Sequence, residues 1–154
     1  ADDPCGHVFD GGPGGSDVIG FDPLEPIREG GKGPKPGVIA RIGGLVDYRG
    51  RNCSVPGRIA RGGEILEGSR LNDVLVGANR SNGLLLGGHG NDVIKGHGGS
   101  DGLRGEEGAD VLLGGAGRDQ LQAADGVKDR KLDCGPGGKH ANTDRRDPPA
   151  RGCR

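Results

Sequence analysis

The chain has 154 residues, among them 36 glycines and 10 prolines, with two phenylalanines, one tyrosine and no tryptophan or methionine. So few large side chains exclude an ordinary globular core: either the chain is disordered or something other than hydrophobic bulk holds it together. Its 21 basic and 22 acidic residues leave a formal charge of -1, which excludes a basic field for nucleic acid or a membrane surface, and no apolar run approaches the roughly 18 residues of a transmembrane helix.

The chain begins "ADDPC", which reads as a mature end left after removal of a signal peptide. Four cysteines, an even number, fit an oxidising compartment. Both point to a secreted protein, extracellular or on a cell surface. Residues 12–20, "GPGGSDVIG", form an isolated unit with Asp17 in its sixth place and Ile19 in its eighth. Residues 21–37 are rich in proline and glycine and have no period, as in a long loop or linker. Over 38–67, short aliphatic runs ("GVIARI", "GGLVDY", "RIA", "EILEG") alternate with turns, which predicts irregular coils. The spacing tightens at 68. "GSRLNDVLV" (68–76) carries Asp73 and Leu75, and "GANRSNGLLL" (77–86) has one extra residue and Asn82 at the carboxylate place. From Gly87 four nine-residue units run in register: "GGHGNDVIK", "GHGGSDGLR", "GEEGADVLL" and "GGAGRDQLQ". Their sixth residues are Asp92, Asp101, Asp110 and Asp119, and their eighth are Ile94, Leu103, Leu112 and Leu121. Past 122 the period breaks. The end retains a strand-like "KLDC" and another "GPGG" turn, and it suits the cap that an open solenoid end requires. The natural divisions are therefore 1–37, 38–67, 68–122 and 123–154.

A fixed short period signals stacked coils. The expected fold is all-β: a parallel β-solenoid, or β-roll, with irregular N-terminal coils and a C-terminal cap. The first six residues of a unit should make the turn, where several places favour glycine's backbone freedom. The last three should form a strand. Alternate strand side chains face opposite sides, so the eighth residue points inward and the seventh and ninth, such as Val93 and Lys95 or Gln120 and Gln122, point outward. Two units make one coil. The turns at 68, 87 and 105 then stack on one edge and those at 77, 96 and 114 on the other.

Stacking places Asp73, Asp92 and Asp110 in one row and Asp101 and Asp119 in another. Like charges so placed repel, and one aliphatic side chain per unit offers little to offset them. Such an arrangement needs a cation. Several calcium ions suit it best, because calcium takes 6–8 oxygen ligands, whereas magnesium demands a rigid octahedron and keeps its waters. No histidine or cysteine occupies the sixth place, which argues against zinc or copper. The remaining oxygens would come from main-chain carbonyls of the glycine turns: Gly87, Gly88 and Gly90, then Gly96 and Gly98, Gly105 and Gly108, and finally Gly114, Gly115 and Gly117.

The units resemble the hemolysin-type (RTX) calcium-binding nonapeptide, G-G-x-G-x-D-x-U-x, clearly over 87–122, weakly over 68–86 and once at 12–20. The resemblance implies a parallel β-roll with calcium between successive turns of one edge. Its aspartate falls on Asp73, Asp92, Asp101, Asp110 and Asp119, with Asp17 a separated match. Ions are then expected between turns 68 and 87, 87 and 105, and 96 and 114. Asn82 offers a neutral oxygen, which weakens any site it shares with Asp101. Glu106 and Glu107 replace turn residues, and either add carboxylates or face solvent. The cysteine-containing tail is similar to the end of secreted bacterial proteins with such repeats. Members exported by the one-step toxin route generally avoid cysteine, so the resemblance implies export through a signal peptide.

Cysteine is expected in disulfides, Cys134 with Cys153 and Cys5 with Cys53, one of the three connectivities that four cysteines allow. His89 and His97 fall in turns but off the ligand places. Among Ser16, Ser54, Ser69, Ser81 and Ser100 none has an identifiable base partner, and no catalytic constellation stands out, so an enzyme is not expected. The leading functional expectation is a structural protein that assembles with copies of itself into a fibre or matrix, with the isolated N-terminal repeat completing a calcium site on another subunit. The alternatives are a calcium-dependent adhesin or module binding cell-surface polysaccharide, and a non-catalytic piece of a secreted calcium-dependent hydrolase.

Overall fold

In each nonapeptide one residue decides the direction of the chain: the eighth, an isolated aliphatic side chain that must leave water. The computed structural model describes residues 65–68, 70–81 and 83–154 in full, and before them the backbone of five short strands. Those five are β1 (Val8–Phe9), β2 (Val18–Gly20), β3 (Pro36–Arg41), β4 (Leu45–Tyr48) and β5 (Gly57–Ile59). Next come β6 (Ile65–Glu67), β7 (Asn72–Val76), β8 (Leu84–His89), β9 (Val93–Gly98) and β10 (Gly102–Glu107). The last four are β11 (Val111–Ala116), β12 (Gln120–Gln122), β13 (Lys131–Asp133) and β14 (His140–Asn142). No helix occurs among the described residues, and none is long and apolar enough to cross a membrane.

Strands alternate between two sheets. One contains β7, β9, β11 and β13 side by side; the other contains β6, β8, β10, β12 and β14. The pairs β7–β8, β9–β10, β11–β12 and β13–β14 are thus the coils of a parallel β-solenoid. Register follows the eighth residue. Leu75 lies opposite Ile94, Ile94 opposite Leu112, and Leu112 opposite Leu132. In the second sheet Leu66, Leu85, Leu103, Leu121 and Ala141 align in the same way. The interior is this double column. Leu66, Leu75, Leu85, Ile94, Leu103, Leu112, Leu121 and Leu132 are each at most 1% exposed. The seventh and ninth residues face outward as a mixed set: Val93, Arg104 and Val111 are half-buried, while Lys95, Gln120 and Gln122 are exposed.

The strands run longer than the sequence pattern suggests. β8, β9, β10 and β11 each span six residues, not three, because parallel pairing continues into the next unit's first residues. His97 pairs with Gly115 and Gly98 with Ala116, and on the other sheet Gly88 pairs with Glu106 and His89 with Glu107. The bend itself is confined to the fourth to sixth places of each unit.

The strand of the isolated repeat, β2, lies parallel to β6 of the same chain, with Ile19 opposite Leu66, and ends its sheet. The irregularity of the N-terminal coils has a definite form. β3 joins β7 in parallel, but β3 with β4 and β4 with β5 pair antiparallel. The loop at 21–35, Asp17, Asn82 and the expected Cys5–Cys53 pairing lie outside the described residues.

At the other end the cap re-enters the nonapeptide path. Residues 134–142, "CGPGGKHAN", place Gly135 and Gly137 at positive φ, 73° and 92°, and set Ala141 opposite Leu121. This is one more unit, with Cys134 first and Lys139 in the aspartate's place. The expected Cys134–Cys153 disulfide is present. It secures a final stretch in which Arg151 bridges alongside Asp133, its N–H donating to Leu132 O at 3.0 Å and its carbonyl accepting from Cys134 N at 2.8 Å.

Candidate metal centre

The bend places each sixth residue where its carboxylate turns inward. Asp73, Asp92, Asp101, Asp110 and Asp119 are all at most 2% exposed. The reason is local. The residue in fourth place adopts positive φ at Gly90 (118°), Gly99 (113°), Gly108 (149°) and Gly117 (135°), a region costly for residues with a Cβ. At Gly108 a Cβ would also collide with the Gly90 carbonyl of the coil below. In the unit beginning at Gly96 the left-handed residue is Gly99, whereas a Cβ on Gly98 would meet nothing nearer than 3.7 Å. The bend in this unit therefore depends on Gly99.

The aspartates form ladders by hydrogen bonds to the main chain. The N–H of Asp73 donates to Asp92 Oδ1 at 2.7 Å, and that of Asp92 donates to Asp110 Oδ1 at 2.8 Å. On the other edge Asp101 N–H donates to Asp119 Oδ1 at 2.9 Å. One oxygen of each accepting carboxylate is thereby used. The other is not: Oδ2 of Asp92, Asp101 and Asp119 is buried without a hydrogen-bond partner. An isolated buried carboxylate oxygen is expensive.

Each of these oxygens lies beside a main-chain carbonyl of the next coil. The space where a Cβ on Gly96 would sit is 2.7 Å from Asp101 Oδ2 and 2.5 Å from Gly114 O. The corresponding space at Gly114 is 2.7 Å from Asp119 Oδ2 and 2.8 Å from Cys134 O. Gly87 repeats the arrangement with Asp92 Oδ2 and Gly105 O, and Gly68 with Asp73 Oδ2 and Gly87 O. Recurring cradles of carboxylate and carbonyl oxygen, which any side chain in first place would fill, fit a hard cation. No three acidic, histidine or cysteine side chains converge among the described residues, so an ion here must draw most of its oxygens from the main chain.

Burial without a cation favours protons. It pushes the Asp92 carboxyl up to about 8, reinforced by the charges of Asp73, Asp110 and Glu106 and opposed by the Asp73 N–H. Asp110 rises to about 6, again through burial, with Asp125 adding to the effect and the Asp92 N–H and Arg130 opposing it. Asp119 is raised by burial against the Asp101 N–H.

A family model for the RTX calcium-binding nonapeptide repeat (4 copies) matches residues 78–112, 86–121 and 104–126. These coils are RTX repeats. RTX repeats bind Ca2+, and several repeats imply several ions. No curated protein matches the chain.

The RTX pattern did not reveal everything in the row. The edge that holds Asp73, Asp92 and Asp110 continues into the cap, where Asp110 N–H donates to Asp129 Oδ1 at 2.8 Å and Asp129 N–H to Asp147 Oδ1 at 3.0 Å. Asp129 is 2% exposed, and burial raises its carboxyl to about 7 against the Asp110 N–H. Its unit is stretched: the aligned Leu112 and Leu132 are 20 residues apart, where Ile94 and Leu112 are 18. Counting in nines therefore passes over Asp129. A second, outer ladder was also missed. Asn72 Oδ1 accepts Asn91 N–H at 2.7 Å, Asn91 Oδ1 accepts Ala109 N–H at 2.8 Å, and Ser81 Oγ accepts Ser100 N–H at 2.9 Å. His89 meets Glu107 at 2.9 Å on the exposed surface, away from the carboxylate rows.

Proposed function

We propose that the chain is a secreted structural protein, outside the cell or on its surface, whose RTX roll is made rigid by calcium and whose ends join copies into a fibre or matrix. The calcium-dependent part rests on one observation: buried Oδ2 atoms of Asp92 and Asp119 without a hydrogen-bond partner, each beside a carbonyl of the next coil. The three expected ion positions, between turns 68 and 87, 87 and 105, and 96 and 114, correspond to the cradles at Gly68, Gly87 and Gly96. When bound, the ions neutralise the rows and tie adjacent coils together. In this reading 1–37 is an N-terminal segment, 38–67 irregular coils, 68–122 the calcium roll and 123–154 the stapled cap. A calcium titration followed by circular dichroism tests it. Little strand signal is expected without metal, and a cooperative gain with it. A full strand signal after exhaustive chelation sinks the proposal.

Self-assembly is supported by the ends of the sheets, which finish in β1 at one end of the first sheet and in β14 and β2 at the ends of the second, the β13 edge being covered by Arg151. Edge strands accept further strands, and head-to-tail contacts that do not close give filaments. Electron microscopy with and without chelator decides this; monomers throughout in millimolar calcium exclude the fibre.

One observation favours the runner-up, a calcium-dependent adhesin or polysaccharide-binding module. A cavity of about 310 Å³ opens on the outer face of the second sheet around Gly102, lined by Arg104, Arg118, Gln120 and Gln122. Such donors suit sugar hydroxyls or uronate carboxylates. Binding to a glycan panel in calcium, abolished by Gly102→Leu, would establish this second reading.

A further inference from the structure

Charge is distributed unevenly along the chain. Residues 1–37 hold seven acidic and three basic side chains, 38–122 hold ten of each, and the cap, 123–154, holds five acidic and eight basic. The near-neutral total therefore conceals a negative first segment and a positive cap. The sheets set these two apart. In the second sheet the order is β14, β12, β10, β8, β6, β2, so β2 of the first segment and β14 of the cap lie five strand spacings apart, roughly 24 Å at the usual distance between paired strands. The two strands that finish this sheet cannot meet within one copy.

The carboxylates of the cap do little to offset its cations at the surface. All eight basic residues are exposed, whereas Asp125, Asp129, Asp133, Asp144 and Asp147 are buried or half-buried. Each of the five is held by the main chain. Asp125 accepts the N–H of Gly108 and of Val127, Asp129 that of Asp110, and Asp133 that of Gly135. Asp144 accepts from Gly126 and Arg146, and Asp147 from Asp129 and Asp144. One ion pair occurs in the cap among the described residues, Lys131 with Asp133 at 3.9 Å. Exposed Arg145, Arg151 and Arg154 belong to the final stretch after β14. Cations outside and carboxylates turned inward give this end of the solenoid a positive field.

We propose that the basic cap of one copy docks on the acidic first segment of the next, with β14 set beside β2 so that the second sheet continues from copy to copy. This rests on the reading of the chain as a self-assembling protein. Every pairing in that sheet is parallel, so a second copy displaced along the stack meets β14 in the same sense as the strands before it. The contact joins unlike surfaces along the stacking direction, and it repeats without closing. Charge selects this order, since cap against cap and first segment against first segment repel.

Charge-reversed variants of the full chain test the contact, by light scattering and electron microscopy in saturating calcium. The cap variant carries Arg145→Glu, Arg151→Glu and Arg154→Glu; the first-segment variant carries Asp22→Lys, Glu25→Lys and Glu29→Lys. Each alone is expected to associate about tenfold more weakly than the wild type. Their equimolar mixture is expected to regain the assembly, because every junction again joins opposite charges. Added salt should weaken wild-type association by screening. Wild-type fibres indifferent to salt, variants that assemble as the wild type does, or no recovery on mixing overturn this docking and leave the fibre standing. A wild type that stays monomeric overturns the fibre itself. Association only after an acidic polysaccharide is added makes the cap a polymer-binding face and rejects the contact. Should a variant fail to fold, carbodiimide cross-linking of the wild type decides. A dimer linked between a carboxylate of 1–37 and Lys128, Lys131 or Lys139 supports the contact, and dimers linked elsewhere reject it.

Discussion

The roll and the cap follow the same helical path, but different forces close it. In the roll, each coil contributes two aliphatic side chains to the interior, and carboxylate oxygens are left buried without a hydrogen-bond partner at Asp92 and Asp119. In the cap, Asp125, Asp144 and Asp147 spend both their oxygens on main-chain N–H groups, and a disulfide joins Cys134 to Cys153. One region is completed by something that comes from solution. The other is largely completed by its own covalent structure. A path that neither a large core nor long strands could hold can thus be stabilised in two chemically independent ways.

Removing calcium should separate the two regions most strongly. Chelation is expected to abolish most strand signal from 68–122 while the cap stays disulfide-linked, as read by circular dichroism and by hydrogen exchange along the chain. Acid should partly substitute for the metal. The folded-state carboxyls of Asp110, Asp129 and Asp92 lie at about 6, 7 and 8, above their ordinary value of 3.8. The folded form therefore binds more protons than the unfolded chain between these limits. The metal-free protein is expected to be most stable below about pH 4 and to lose that stability as pH rises through 6 to 8. Calcium affinity should rise over the same window, because the ion displaces those protons. Metal-free stability that increases with pH there contradicts the burial of these carboxylates.

Smaller changes sharpen the contrast. Leu112→Ala in the column of the roll should cost about 2–5 kcal/mol, measured by urea unfolding in saturating calcium. Replacing Cys134 and Cys153 by serine should cost about 3 kcal/mol, as expected for a loop of this length. The loss should be confined to exchange protection in the cap, and equal loss throughout the roll would show that the regions are not separable. The least effect is expected where the roll itself is imperfect. His97 and Glu106 occupy second places at φ 74° and 68°, where Gly88 and Gly115 stand in the neighbouring units. His97→Gly should stabilise by about 0.5–1 kcal/mol, the strain relieved less the added chain entropy, seen as a rise in the midpoint of thermal unfolding.

What could be read in advance follows from the period. Once Asp92, Asp101, Asp110 and Asp119 recur every nine residues with Ile94, Leu103, Leu112 and Leu121 two places on, few folds other than stacked coils can bury the aliphatic residue and align the acids. Fold, core column, both carboxylate rows and the need for a cation were legible on that basis, as was the pairing of Cys134 with Cys153. Asp129 and Asp147 were not, since Asp129 follows Asp110 by 19 residues and Leu132 follows Leu112 by 20, and only the hydrogen bonds from Asp110 N–H to Asp129 and from Asp129 N–H to Asp147 restore them to the row.

The sequence by itself therefore determined the repeat, the inward column and the acidic edge, all of which are local and periodic. Only the tertiary structure decided which carboxylate oxygens remain unpaired, how far the strands extend into the turns, that β2 returns to β6 of its own chain, and where each edge of the roll ends. Those outcomes depend on contacts between residues some 18 or more positions apart, such as Asp92 on Asp110 or Val18 on Ile65. Pairing of that range is set by how coils stack in space, which a count along the chain cannot supply once an insertion breaks its register.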